Sequence, residues 1–281
     1  MASFNLEETG VSTTSDASQE PNMTPDYEVK LLLNSTLVLD SNHELTSDIL
    51  SDFGMPTNTT NINVQFLDTS CKEIFNAGWS TRIRKFKDEN EFELTYKKRY
   101  PIIGGDIDGA LTTANSEGFD SGNKKYEAQV EWGYERQSLS ITRKKSASDS
   151  GFSGLDLPGE ADSRAMLISE APDKFVNFVS LGWGTGVLDK SRIFGPVLAK
   201  RSIGTWADQK LYIEVWRIRN AKNTDFEYIV EASFKTKSHT KASSGHKDLV
   251  AYLQDKGYLL LQESDKTRLI LERYKGDINC S

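Results

Sequence analysis

Cysteine is nearly absent from this 281-residue chain. Its two cysteines, Cys71 and Cys280, lie far apart and form no C-x-x-C pair. That argues against a cysteine-ligated metal centre and suits a reducing compartment, with both residues read as bystanders. Long apolar runs are missing too: none approaches the roughly 18 residues that a membrane-spanning helix needs. The N-terminus lacks the basic-then-apolar order of a secretory signal. The expectation is therefore a cytoplasmic protein with no membrane partner, in which the triplets at Asn22, Asn34 and Asn58 match a glycosylation pattern by chance. Basic charge is in deficit, with 34 Lys and Arg against 41 Asp and Glu and a net charge of −7. Bulk capture of nucleic acid is disfavoured, and any anion site must be local. The three histidines, His43, His239 and His246, are scattered without nucleophile-base spacing, and no Ser-His-Asp order, G-x-x-x-x-G-K-[ST] loop or G-x-G-x-x-G turn occurs.

What is present is a chain with 37% hydrophobic residues, enough for one large domain over residues 25–281. Residues 1–24 are rich in Ser, Thr, Glu and Asn and read as a disordered tail, because they offer too little apolar surface to offset the entropy of ordering. Strand patterns fall at residues 26–33, 63–68, 80–86, 91–99, 126–134, 138–144, 201–206, 211–217 and 226–234. Helical patterns fall at 41–53, after Pro172, at 246–256 with Gly257 as the stop, and after Asp265. Residues 103–123 and 146–170 read as long Gly/Ser/Asp-rich excursions. About eight strands with helices between the halves imply an α+β fold, an eight-stranded antiparallel β-barrel with helices packed outside.

Three strands carry chemistry. In Asp26-Tyr27-Glu28-Val29-Lys30, alternation places Asp26, Glu28 and Lys30 on one face and Tyr27 and Val29 on the other. Two carboxylates beside a lysine can hold a divalent metal and touch a phosphate bound to it. In Ala77-Gly78-Trp79-Ser80-Thr81-Arg82-Ile83-Arg84, two guanidiniums share a face, and their planar forks match phosphate oxygens. In Glu93-Leu94-Thr95-Tyr96-Lys97, Lys97 opposes the apolar Leu94 and Tyr96. Each pattern also describes an ordinary solvated sheet face. Of the five tryptophans, Trp132 is expected to pack under helices, and Trp206, closing the strand that begins at Arg201, is the better candidate to touch a ligand.

The order of these motifs resembles the CYTH superfamily, the triphosphate tunnel metalloenzymes. The opening E-x-E-x-K of that family is similar to Asp26-Tyr27-Glu28-Val29-Lys30. Its F-D-T and A-G-x-x-x-R-x-R segments are similar to Phe66-Leu67-Asp68-Thr69 and to residues 77–84. Its L-T-x-K resembles Leu94-Thr95-Tyr96-Lys97, and weaker matches fall at Lys200-Arg201, Glu214 and Glu231-Ala232-Ser233. The resemblance implies a charged tunnel in which Asp26, Glu28, Glu214 and Glu231 hold Mg²⁺ or Mn²⁺. It implies that Lys30, Arg82, Arg84, Lys97 and Arg201 grip phosphates. Glu127 or Glu131 would orient the attacking water. Asp26 and Ser233 depart from the family's glutamates, which removes ligand reach and charge from the expected metal site.

The expected function is metal-dependent hydrolysis of a small or inorganic triphosphate. The alternatives are a nucleotide cyclase, an isoprenoid-diphosphate lyase or cyclase, which needs an apolar half-tunnel, and a noncatalytic polyphosphate-binding module. The sequence leaves the oligomeric state open.

Overall fold

The computed structural model describes residues 20–263 and 265–274. After β1 (Asp26–Leu33) come the short helices α1 (Ser35–Val38) and α2 (Ser47–Asp52), then β2 (Thr60–Asp68), α3 (Glu73–Asn76), β3 (Trp79–Phe86) and β4 (Glu91–Ile102). Helix α4 (Ile107–Ser116) leads to β5 (Glu127–Trp132) and β6 (Gln137–Ser148). Helices α5 (Glu160–Ser169), α6 (Asp173–Val176) and α7 (Trp183–Asp189) precede β7 (Arg192–Trp206), β8 (Gln209–Arg219) and β9 (Phe226–Thr236). Helices α8 (His239–Asp255) and α9 (Lys266–Arg273) follow.

The strands close into a barrel in the order β1-β5-β6-β4-β3-β2-β7-β8-β9, with β9 returning to β1. Two points of the expectation are corrected. The barrel has nine strands rather than eight, and it is mixed, because β1 and β5 run parallel with Asp26 opposite Gln129 and Val29 opposite Trp132. Parallel neighbours cannot be joined by a tight hairpin. Here three further strands separate them along the chain.

Alternation assigns each wall residue a side. On β3, Trp79, Ile83 and the intervening Thr81 are buried outward, while Arg82 and Arg84 face the lumen. Outside, Trp79 meets the rings of Phe119, Phe175 and Phe178 at 5.2–6.1 Å. Helix α8 buries Ala242, Leu249 and Leu253 against the wall. Gly245 permits its approach, since a Cβ there would stand 2.7 Å from the Phe234 ring. Trp132 packs under α8 between His239 and His246, with centroids 5.8 and 5.3 Å apart, as alternation predicted.

A second apolar cluster lies inside the barrel. Val64 and Phe66 pair with Arg84 and Arg82, and Ala199 pairs with Trp216; directly opposed residues share a face. Together with Ile62, Phe194, Val197 and Ile218 they bury Ile270 and Leu271 of α9. The lumen is thus half charged and half apolar, and α9 seals the apolar half.

Several boundaries differ from the sequence reading. The helix expected at 41–53 reduces to α2, preceded by a turn and a Leu39–Leu45 bridge. The excursions contain α4 and α5, and β7 begins at Arg192 rather than at 201. Cys71 is disulfide-bonded, which corrects its reading as a bystander and removes the cysteine argument for a reducing compartment; Cys280 lies outside the described residues. Of the expected tail, residues 1–19 lie outside the described residues. Residues 20–22 are held by Asn115, which donates to Glu20 O and Asn22 Oδ1, and by the bond from Ser121 N to Pro21 O. No helix among the described residues is long and apolar enough to cross a membrane.

Candidate functional site

The charged half of the lumen is a cavity of about 650 Å³. Strand alternation delivers all eleven candidate residues to it: Asp26, Glu28 and Lys30 from β1, Arg82 and Arg84 from β3, Lys97 from β4, Glu127 and Glu131 from β5, Arg201 from β7, Glu214 from β8 and Glu231 from β9. Ser233 also lines it. Trp206 does not: an odd number of residues beyond the inward Arg201, it falls on the opposite face and packs outside on Phe53 and Tyr252. That corrects its reading as a ligand contact.

Glu131 is buried at the centre of a cation cluster. Its carboxylate accepts from Lys30 at 2.7 Å and Lys97 at 2.6 Å, with Arg99 3.6 Å away. Burial pushes its carboxyl up, but Lys30, Lys97 and Arg99 outweigh that and hold it well below the usual carboxylate range. A carboxylate so held is a weak base. The cations respond unequally. Burial opposes the Lys30 charge, yet Glu131, Glu28 and Glu231 raise it above its ordinary value. For Lys97, burial wins with help from Arg99, Lys30 and Arg82, and the ammonium is brought down to about 8 in spite of Glu131.

The two arginines share one acid. Arg84 donates to both oxygens of Glu93 at 2.7 and 2.8 Å, while Arg82 stands 3.5 Å from it and donates to Thr95 Oγ1. Burial and the neighbouring Arg84 bring Arg82 down to about 10. Burial pushes Glu93 up, but the arginines prevail and hold it at about 2.

On the opposite wall, Glu214 accepts from Arg201 at 2.6 and 2.9 Å through Oε1, and from Trp216 Nε1 at 2.9 Å and Lys266 at 3.1 Å through Oε2. Lys266 also donates to Glu231 at 2.7 Å. Glu28 lies 3.4 Å from Lys235, and Asp26 is exposed at the cavity's edge. Glu127 is mostly exposed and accepts from Lys144 at 3.1 Å. Asp68, in the F-D-T match, is structural: it accepts from Thr69, Ile74 and Phe75 backbone N–H groups and so caps α3, while burial pushes its carboxyl up to about 6 against those bonds.

The expected Mg²⁺ or Mn²⁺ does not fit this donor arrangement. Among the described residues no three Asp, Glu, His or Cys side chains gather closely enough to hold an ion. Glu28, Glu214 and Glu231 each face a lysine instead.

No protein-family model matches the sequence, and no curated protein does. Solved structures do. HpAC1 from Hippeastrum, an adenylyl cyclase candidate with a dominant triphosphatase activity, is 16% identical, with a TM-score of 0.51 over 86% of this chain and 93% of its own. An adenylate cyclase candidate from Bacillus halodurans is 12% identical, with a TM-score of 0.50 over 89% of this chain and 97% of its own. The chain shares the fold of these two structures.

Arg99, Glu93 and Lys266 are among the residues of this lumen that escaped the sequence reading. Arg99 and Glu93 share the Lys97 face of β4, two and four residues away, so alternation alone was sufficient to find them. Lys266 gave no such signal, because nothing local says that α9 turns into the barrel.

Proposed function

We propose that the charged half of the tunnel binds the phosphate chain of a small tri- or diphosphate and hydrolyses it. The observation that supports this is the convergence of Lys30, Arg82, Arg84, Lys97, Arg99 and Arg201 on one cavity in a chain whose net charge is −7. Their internal acids, Glu93, Glu131 and Glu214, hold each cation in place and keep the cluster from repelling itself. A phosphate chain entering the cavity finds donors already ordered, and Arg forks suit its oxygens. The same cations offset charge that develops on the leaving phosphate during transfer. Glu127, open to solvent beside Lys144, is the acid placed to take the proton of an attacking water.

The dominant triphosphatase activity of HpAC1 supports hydrolysis ahead of cyclisation. The apolar half favours a compact substrate over an isoprenoid diphosphate, because Ile270 and Leu271 already fill it. Phosphate release measured across tripolyphosphate, ATP, thiamine triphosphate and isoprenoid diphosphates, paired with calorimetric titration, tests the reading. Release from at least one triphosphate is expected. Binding without release would make this a noncatalytic module, and absence of both would sink the proposal.

A further inference from the structure

Glu214 and Glu231 stand directly opposite each other across β8 and β9, both on the lumen face. Like charges so placed repel, and burial compounds the cost: Glu231 is 3% exposed. A cation between them is what this pair requires. The chain supplies its own. Lys266, the first residue of α9, donates to both carboxylates, and its ammonium lies 4.5 Å from the centre of the Trp216 ring. One turn later Ile270 is locked in the apolar half of the lumen, so packing fixes where the ammonium stands. Each Glu214 oxygen already accepts two donors, Arg201 twice on one and Trp216 with Lys266 on the other.

We infer that Lys266 is the resident cation of this tunnel: it fills the place between Glu214 and Glu231 that a divalent ion would take, and the protein captures a phosphate chain without Mg²⁺ or Mn²⁺. The clause about capture rests on the phosphate-chain reading above; the clause about the ion does not.

Titration of the full chain with Mn²⁺, followed by calorimetry and by melting temperature, tests the ion clause without any substrate. The wild type is expected to show no saturable Mn²⁺ binding and no melting shift. Lys266→Met exposes the two carboxylates to each other. It should gain Mn²⁺ affinity by about tenfold or more, because the two opposed carboxylates then have no cation between them, and Mn²⁺ should raise its melting temperature. Lys266→Met combined with Glu231→Gln should lose that gain. Saturable Mn²⁺ binding by the wild type, abolished by Glu231→Gln, overturns the inference even if Lys266→Met does not fold. Tripolyphosphate titration in EDTA then tests the capture clause. Binding in EDTA supports it, and binding only after Mg²⁺ is added overturns it. Failure to bind under either condition counts against the phosphate-chain reading, while the Mn²⁺ result still decides the ion clause.

Discussion

The two halves of the barrel lumen are built by the same strands and neutralise their surroundings in opposite ways. Along β8, Glu214 belongs to the charged half, and Trp216 and Ile218, two and four residues on, belong to the apolar half. Along β2, Val64 and Phe66 sit beside Arg84 and Arg82 of β3. In the apolar half, side chains 0–4% exposed pack against one another and against α9. In the charged half, acids and bases pair across a space that stays open. Apolar groups gain free energy by excluding water altogether, whereas buried ion pairs approximately cancel their own desolvation. Stability therefore comes from one half and the proposed ligand capture from the other, with α9 joining them through Ile270 and Lys266.

The largest effect should come from the apolar half. Phe194→Ala removes a ring that is fully buried among Phe66, Val197 and α9. It should cost about 3–5 kcal/mol by the usual penalty for emptying an aromatic site, measured by equilibrium urea unfolding. Tripolyphosphate affinity of the folded fraction should stay unchanged. A comparable loss of affinity would show that the halves are not separable.

Glu131→Gln should move the two properties in opposite directions. It leaves Lys30, Lys97 and Arg99 without their shared anion, so stability should fall by about 3 kcal/mol, as when one partner of a buried pair is removed. Tripolyphosphate should bind more tightly, because it no longer competes with an internal carboxylate. Weaker binding in a folded variant would mean that Glu131 orders the cations more than it occupies them.

Arg84→Ala should act mainly on the ligand. Losing one charge-assisted fork costs about 1.5–3 kcal/mol of binding, read by calorimetric titration with tripolyphosphate. Stability should change less, since Glu93 keeps Arg82 and Thr95 as partners. Unchanged affinity would remove Arg84 from the ligand site.

How much of this the sequence disclosed follows from range of interaction. Alternation on β1, β3 and β4 is local, and it placed Asp26, Glu28, Lys30, Arg82, Arg84 and Lys97 on the lumen face from a few residues each. The β1–β5 parallel pairing is a long-range choice that no local pattern encodes. Helix α4 was unreadable because Gly109, Thr112 and Thr113 weaken its propensity; Asp106, accepting from Gly109 N, and the burial of Leu111 and Ala114 secure it. The division of the lumen was hidden for the same reason. Phe66 and Trp216 read as ordinary core residues until β2, β7, β8 and α9 converge. The acids that the family resemblance named as metal ligands, Asp26, Glu28, Glu214 and Glu231, all line the cavity, yet sequence could not reveal that Lys266 would stand between two of them.

The smallest and most specific effect concerns pH in the charged half. With Lys97 brought down to about 8, the free cavity loses one cationic donor as pH rises through that value. A bound phosphate chain favours the ammonium and raises its pKa, so affinity should fall above pH 8, by up to about tenfold per pH unit until the bound-state value is reached. Stability follows the opposite sign. Below its unfolded value of 10.5 and above about 8, the unfolded chain binds more protons at this site than the folded one. The contribution of Lys97 to stability therefore rises with pH across that window. Calorimetric titration at several pH values, in buffers of different ionisation enthalpy, would detect the proton taken up on binding. Lys97→Arg keeps its charge throughout this range and should abolish both the uptake and its share of the affinity decline. A decline identical in the variant would belong to the ligand's own phosphates, leaving Lys97 charged in the free cavity and the charged half better solvated than its burial implies.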